Sequence, residues 1–257
     1  MLEFLEVLKY RYLLSELIKR DIKIKYRRSI LGMFWSVLNP LFFIAITYVV
    51  FSTIFKSSIK NFPLYAMAGQ LIYSFFVEST TAAMISIIGN GSLIKKVYIP
   101  KYVFPLSKVL SSFVNTGFSL IALLIVIIIT RAEIYWTYIL IPIPFVFVFI
   151  FSVGVSLILS SLAVFFRDII HLYSVFTTML AYLTVIYYPI TIIPSNLQKY
   201  FFINPIYRFI KYFREIILYG RVPNISETLV CFLISIITLI LGIYIFQKKE
   251  NEFILFV

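Results

Sequence analysis

Six long apolar runs limit what this sequence can fold into more than any other feature. A helix needs about 20 apolar residues to cross the roughly 30 Å hydrocarbon layer of a bilayer, and each run approaches or exceeds that length. The runs are about Phe34–Phe55, Phe62–Ile88, Phe104–Thr130, Tyr138–Phe166, His171–Pro189 and Glu227–Phe246. They predict an all-α integral membrane protein with six transmembrane helices.

The composition points to the same class of protein. Of the 257 residues, 61% are hydrophobic and only 13% are charged. A water-soluble domain of this size could not cover its surface with so few polar groups. The formal charge of +12 could suggest nucleic acid, but in so apolar a chain the placement of charge matters more than its sum, and we expect no nucleic-acid partner. The single cysteine, Cys231, predicts a buried thiol rather than a disulfide.

The basic residues indicate which side of the membrane each loop occupies. If the N-terminus is inside the cell, 15 of the 23 Lys and Arg residues fall on the cytoplasmic side and eight fall outside. Basic residues next to transmembrane helices are retained in the cytoplasm, so this bias predicts that both termini are cytoplasmic. The first 30 residues also lack the short apolar core and cleavage site of a signal peptide.

Residues 1–33 are predicted to form a cytoplasmic amphipathic interface helix. One side of this helix carries the apolar residues Leu13, Leu14, Leu17, Ile18 and Ile24. The other side carries Glu16, Arg20, Lys23 and Arg27. Such a helix lies in the headgroup layer with its cations toward anionic lipid. The pattern leaves two interpretations open, a simple membrane anchor and a docking surface for a cytoplasmic partner.

The rest of the chain, 34–257, is predicted to be one transmembrane domain, because its longest cytoplasmic loop, 89–107, is too short to fold alone. Glycines break the second run, and Pro100 and Pro105 bound a short basic helix. The side chains of interest in this loop are Leu93, Ile94, Lys95, Lys96 and Val97. A surface turn and a helix that presses into a partner's groove are both compatible with this pattern.

The segment 190–223 is too broken by proline and too basic to be a seventh transmembrane helix. Asn204 can cap a helix that begins at Pro205 and alternates aromatic with cationic side chains. The candidate residues of this segment are Tyr207, Arg208, Lys211 and Arg214. A helix of about 15 residues cannot cross the bilayer, so it is predicted to lie on the outer surface or to dip partway into it. Its cations could attract phosphate and its rings could contact sugars, or the segment could be a plain interfacial belt.

Polar residues inside the predicted transmembrane helices are candidates for a passage. Glu78 is costly in lipid, so it either lines or gates a passage or bonds to another helix. A tyrosine in mid-membrane also needs a partner for its hydroxyl. The candidate channel or gate residues are Trp35, Tyr48, Tyr73, Glu78 and Tyr182.

Several kinds of chemistry are not supported by the sequence. None of the eight glycines is followed by lysine, so the chain lacks the phosphate-binding loop of P-loop ATPases. If ATP drives its work, another subunit binds the nucleotide. The single histidine, His171, makes a metal site or serine-based catalysis improbable. The acids predicted to lie outside, Glu133, Glu215 and Glu227, are expected to be scattered, which argues against an enzyme.

Short segments in order along nearly the whole chain resemble the permeases of ATP-binding-cassette exporters. The resemblance is strongest to the polysaccharide-export branch, which exports O-antigen, capsule and teichoic acid. The segments are Tyr26–Trp35, Asn39-Pro40, Leu93–Lys96 with Pro100 and Pro105, Phe166–Asp168, Tyr188–Ile190, Asn204-Pro205, and Arg214-Glu215 with Gly220.

The resemblance implies a homodimer in the cytoplasmic membrane, paired with two separate subunits that bind ATP and Mg, whereas this chain binds no cofactor. It implies that the amino-terminal helix and the loop near residue 93 receive the ATPase stroke, and that 190–223 forms a re-entrant helical pair at the exit. The implied substrate is a polyprenyl-diphosphate-linked polysaccharide in a channel between the protomers. An exporter of lipids or drugs and a membrane enzyme acting on lipid-linked sugars are the alternatives.

Overall fold

The computed structural model describes residues 9–27, 29–51, 59, 61–97 and 99–256, which form helices and turns without any strand. The helices are α1 (Arg11–Lys25), α2 (Trp35–Val49), α3 (Phe62–Met84), α4 (Ser86–Gly89), α5 (Gly91–Ile94), α6 (Val103–Ile129), α7 (Pro142–Phe165), α8 (Ile169–Leu183), α9 (Ser195–Phe201), α10 (Pro205–Ile217), α11 (Ile225–Lys249) and α12 (Phe253–Phe256). Short 3-10 turns precede α2 and α7 at Gly32–Phe34 and Trp136–Leu140.

Four helical stretches in the described part of the chain are long and apolar enough to cross a bilayer. They are Gly32–Val49, Val103–Ile129, Trp136–Phe165 and Ile225–Phe256. Helix α3 has 23 residues, a length of about 35 Å, but it contains Gln70 and Glu78 and is less apolar. The prediction of an all-helical protein with several membrane-length apolar helices is confirmed.

Helix α3 forms the centre of the bundle because it buries most of its surface against α6, α7, α10 and α2. Its small residues, among them Ala66, Ala68 and Gly69, allow neighbouring helices to approach closely. The exception is a partly exposed stripe of mostly polar residues along one side. This stripe consists of Gln70, Tyr73, Ser74, Val77 and Glu78.

Helices α7 and α11 form the most extensive helix pair, and two glycines set their separation. A Cβ atom on Gly242 would lie 2.4 Å from the carbonyl oxygen of Gly154, and one on Gly154 would lie 2.5 Å from the carbonyl oxygen of Thr238. Close to this crossing, the Ser235 hydroxyl donates to the Phe147 carbonyl at 2.9 Å. Backbone contact of this kind is typical of helices that pack within a membrane, where small residues replace bulky ones.

Side-chain bonds define two ends of the bundle. At the end that carries α1, Lys108 pairs with Asp21, and the Lys101 ammonium donates to the Glu250 carbonyl at 2.7 Å. At the opposite end, the Asn61 amide donates to the Thr130 hydroxyl at 3.1 Å, and Thr137 donates to the carbonyl of Ile216 in α10. We call these the α1 end and, after the exit that the resemblance assigns to residues 190–223, the exit end. Residues near both chain termini lie at the α1 end.

Two helices end earlier than the sequence predicted. Helix α3 stops at Met84, and a turn at Ile85 separates it from the short α4. Helix α8 stops at Leu183 rather than reaching Pro189, because buried Val185 adopts a left-handed backbone with φ of 54°. With 15 residues, α8 is about 22 Å long. The last residues of the first predicted run, 52–55, lie outside the described residues.

Candidate functional site

The α1 helix is fastened to α6 by an apolar stripe that ends in an ion pair. Leu14 and Leu17 are buried, and Asp21, one turn further along, accepts from the Lys108 ammonium at 2.8 Å. Ile24, which was predicted to belong to the apolar side, is 60% exposed and is not part of this buried stripe.

The exposed side of α1 carries the cations that the sequence analysis assigned to partner coupling. Arg20, Lys23 and Arg27 are all exposed. Arg20 makes a long contact of 3.5 Å with Asp21, and Lys19 pairs with Glu16 at 2.8 Å. This surface is therefore polar and open to a partner or to lipid headgroups.

A polar cluster joins the end of α1 to the centre of the bundle. The Lys25 ammonium lies 2.7 Å from Glu78 Oε1, and the Asn115 amide lies 3.3 Å from Glu78 Oε2. The Tyr26 hydroxyl donates to Asn115 Oδ1 at 2.5 Å and also bonds to the Ser36 hydroxyl. Glu78 thus lies toward the α1 end of the bundle, and it bonds to a neighbouring helix, one of the two alternatives left open by the sequence.

The same cluster lines a cavity of about 280 Å³, which we call the polar cleft. Its lining residues are Lys25, Tyr26, Trp35, Ser36, Asn39, Pro40, Phe43, Gln70, Leu71, Ser74, Glu78, Asn115 and Ser119. Amide, hydroxyl and charged groups are expensive to expose to lipid, so a cavity rich in them is typical of a water-filled passage or a binding site. Sequence reasoning found Trp35 and Glu78 but missed Asn39, Gln70 and Asn115, whose positions inside apolar runs were a usable signal.

The other predicted channel residues are not gathered in the cleft. Tyr48 lines a separate cavity at the exit end, whereas the Tyr73 hydroxyl donates to the carbonyl of Thr177 in α8 at 2.5 Å. Tyr182, on α8, is 69% exposed. The structure therefore brings together only Trp35 and Glu78 of the five.

The loop predicted to receive a partner is divided between anchoring and exposed residues. Ile94 is buried and Leu93 packs partly against the core. Lys95, Lys96 and Val97 are exposed. The expectation that Ile94 presses into a partner's groove is therefore wrong in this conformation, since its side chain holds α5 against its own bundle.

At the exit end, α10 buries its apolar face, and two of its cations pair with α11. Lys211 lies 2.8 Å from Glu227 and 3.8 Å from Glu215, and Arg208 lies 3.2 Å from Glu227. Glu215 and Glu227, which were expected to be scattered, lie together around Lys211 because α10 packs on the start of α11, whereas Glu133 lies apart and bonds to Tyr135. Tyr207 is buried beside them. Paired in this way, the acids have a structural role in this conformation.

Arg214 differs most from its predicted environment. Its guanidinium is buried and donates to the carbonyl groups of Tyr65, Val185 and Ile186 at 2.8 to 3.2 Å. It also stacks on the Tyr65 ring, 3.4 Å from the ring centre. It is therefore not available to attract phosphate in this conformation. Gly69 makes room for it, since a Cβ there would lie 2.9 Å from the guanidinium.

A second, larger cavity of about 1490 Å³ opens at the exit end between α2, α3 and α6. Its walls are mainly apolar, and its rim carries Arg131, Glu133, Tyr135 and Arg221. The polar cleft at the α1 end and this cavity at the exit end lie along the same central helix. Among the described residues, no group of His, Cys, Asp and Glu side chains could hold a metal ion.

Comparison with known proteins gives consistent matches over nearly the full length. Residues 12–218 match the family described as ABC-2 type transporter. The chain is 32% identical to a Klebsiella pneumoniae protein called O-antigen export system permease protein RfbA, over 94% of this chain and 93% of that protein. A second protein of that name from the same organism is 31% identical over the same shares. A Myxococcus xanthus protein of that name is 27% identical over 96% of each chain.

Proposed function

Since the chain belongs to the ABC-2 type transporter family, we propose that it is the permease subunit of an ATP-driven exporter of a polyprenyl-diphosphate-linked polysaccharide of the O-antigen type. Membership of this family makes it a transporter subunit rather than an enzyme. The observation that carries the choice of cargo is 27 to 32% identity, over nearly the whole length, to three proteins named as O-antigen export permeases.

Two copies of the chain are proposed to enclose the channel in the inner membrane. Residues 34–257 of each copy would supply six transmembrane helices, with α3 and the short α8 completing the set. The polar cleft supports a passage, and Trp35 and Glu78 are its proposed lining. Tyr48, Tyr73 and Tyr182 would contact the substrate further along. Both termini would be cytoplasmic, which agrees with the location of the described residues nearest to them at the α1 end.

Two separate ATPase subunits, which carry ATP and Mg, are proposed to dock at the α1 end. The exposed cations Arg20, Lys23 and Arg27 of residues 1–33 would form one part of the docking surface. These cations would also contact membrane lipid headgroups. The exposed tip of the loop 89–107, at Lys95, Lys96 and Val97, would form the other part. Leu93 and Ile94 would transmit force from this tip to the bundle, because they pack against it.

Helices α9 and α10 are proposed to be the re-entrant pair that closes the exit. The depth of α10 among α3, α7 and α11 supports this, since a helix resting on the membrane surface would not be buried on so many sides. Tyr207, Arg208, Lys211 and Arg214 would hold the pair in its closed position. Opening would require the pairs of Arg208 and Lys211 with Glu227 to rearrange.

Co-purification with the ATPase encoded beside it, followed by an export assay in a strain deleted for the permease, tests this function. We expect a stable complex and restored export of lipid-linked polysaccharide. A complex with an ATPase variant unable to hydrolyse ATP is the control and should restore nothing. A stable, ATP-hydrolysing complex that leaves the glycan inside would contradict the proposed cargo and favour an exporter of lipids or drugs.

A further inference from the structure

The Lys25–Glu78 ion pair occupies a special position between the peripheral α1 helix and the centre of the bundle. Helix α1 packs on α6, and its Asp21 bonds go to Lys108 and Ser111 of that helix. Among the hydrogen bonds and ion pairs of the described residues, Lys25–Glu78 is the one that connects α1 directly to α3. A movement of α1 therefore reaches the central helix directly through this pair, and otherwise through α6, whose Asn115 also bonds to Glu78.

The pair also forms part of the wall of the polar cleft. Lys25 and Glu78 line the cleft of about 280 Å³. Gln70 and Ser74 of α3 and Trp35 of α2 are among the other residues that line it. On its other side the pair lines a second cavity of about 140 Å³, between α1 and α6. With open space on both sides, the two side chains can separate without displacing the surrounding backbone.

Its exposure distinguishes this pair from the other ion pair of α1. The side chains of Lys25 and Glu78 are 44% and 41% exposed, whereas those of Lys108 and Asp21 are 24% and 11% exposed. A partly exposed pair exchanges protein contacts for water at little cost, whereas a more buried one does not. The structure thus combines a durable attachment to α6 with a reversible one to α3.

We propose that Lys25–Glu78 is a positioning pair that couples displacement of α1 to the width of the polar cleft. This inference rests on the proposed function, in which the ATPase subunits move α1. When α1 lies against the bundle, the pair closes the cleft at the α1 end. When the ATPase tilts the Lys25 end of α1 outward while Asp21 stays on α6, Lys25 leaves Glu78 and the cleft opens to the cytoplasmic side. Glu78 then acts through Lys25 and is not itself a ligand of the substrate.

Charge reversal tests this in the assembled complex. Lys25→Glu and Glu78→Lys, alone and together, are compared with Lys248→Glu, which makes the same charge change at an exposed position of α11 at the same end of the bundle. We expect each single reversal to lower export about tenfold while ATP hydrolysis stays within about twofold, and the double reversal to restore most export. Lys248→Glu should export at the wild-type rate.

Other outcomes separate the alternatives. If Glu78 binds substrate directly, the double reversal will export no better than Glu78→Lys, and the proposal is overturned. If the single reversals match Lys248→Glu while the wild type exports, the pair has no coupling role, although the proposed function stands. If the wild type itself exports no glycan, the proposed function fails first.

A reversible cross-link covers the case in which a reversed charge prevents folding. Cysteines at positions 25 and 78, in a Cys231→Ala background, can be joined in the assembled complex with a short bifunctional thiol reagent. We expect export to stop when the link forms and to return when a reductant breaks it, with the ATPase bound throughout. Export that continues at the unlinked rate would show that α1 need not leave Glu78, which would overturn the proposal.

Discussion

The guanidinium of Arg214 links its own helix, α10, to two other segments of the exit end by hydrogen bonds to backbone carbonyl groups. Its four hydrogen bonds reach α3 at Tyr65 and the turn after α8 at Val185 and Ile186. Val185 is β-branched and holds a left-handed φ of 54°, a conformation that costs about 1–3 kcal/mol and needs support from its surroundings. The carbonyl of Val185 accepts from Arg214 and, at 3.4 Å, from the Tyr65 hydroxyl, which supplies that support.

Replacing Arg214 by methionine should therefore destabilise the fold rather than merely change a charge. Methionine keeps the length of the side chain but donates no hydrogen bond, so three buried carbonyl groups lose a partner. We expect the free energy of unfolding to fall by about 2–4 kcal/mol, measured by thermal unfolding in detergent. Arg221→Met, at an exposed position of the same end, is the matched control. Equal melting temperatures for the two variants would show that Arg214 is not a structural tie.

At the scale of helices, the crossing of α7 and α11 depends on the absence of side chains. Gly154 and Gly242 bring the two backbones into contact, whereas Gly117 in α6 has no atom within 4 Å of the place where a Cβ would lie. The same substitution can therefore be made where space is absent and where it is available. Both positions are helical, so the intrinsic preference for alanine over glycine is common to them.

Gly154→Ala should push the two helices apart, because its Cβ would lie 2.5 Å from a backbone carbonyl that cannot move independently. We expect a loss of about 1–3 kcal/mol in the free energy of unfolding. Gly117→Ala should instead raise stability by about 0.5–1 kcal/mol. Thermal unfolding of the two variants side by side gives the comparison. Stabilisation by both would mean that the α7–α11 contact relaxes freely.

Helices also show where local patterns mislead. The spacing of apolar residues predicted that α1 is amphipathic, and in the bundle its inner stripe contains Leu14, Leu17 and the acid Asp21, whereas Ile24 is exposed. The loop residues Leu93 and Ile94 have the composition of a docking helix, yet their own bundle covers Ile94. In both cases contacts with other parts of the chain decide which side chains are buried, Lys108 for Asp21 and the core for Ile94. The sequence of one segment does not show those contacts.

For the whole molecule, the described residues nearest to both termini lie at the α1 end, and this leads to a prediction about sidedness. Single cysteines at Lys95 and at Arg221, each in a Cys231→Ala background, should react with a membrane-impermeant thiol reagent from opposite sides. The cysteine at position 95 should be labelled only after the inner face is made accessible, and the cysteine at position 221 in intact cells or spheroplasts. The excess of basic residues at the α1 end is the physical reason.

Cys231 is buried and is the one native cysteine, so Cys231→Ala leaves the introduced cysteine as the one thiol that can be labelled. The unlabelled Cys231→Ala chain is the control for reaction at other groups. Labelling of position 95 in intact cells would reverse the orientation of the bundle and would remove the proposed ATPase docking surface from the cytoplasm.

The sequence by itself determined the class of this protein and the approximate positions of its helices. Runs of apolar residues must leave water, and in lipid a backbone that has no other partners must form helices, so length and composition are enough. Short sequence segments in the expected order also indicated the family, because the resemblance extends over nearly the whole chain.

Only the tertiary structure decided what the polar residues do. Arg214 was a candidate phosphate ligand until packing placed three carbonyl groups around it, and Glu78 was an acid with no known partner until α1 brought Lys25 to it. The partners of these two side chains are tens of residues away in the sequence and depend on how the helices cross. Those crossings depend on close contacts such as Gly154 with Gly242, which hydropathy does not encode.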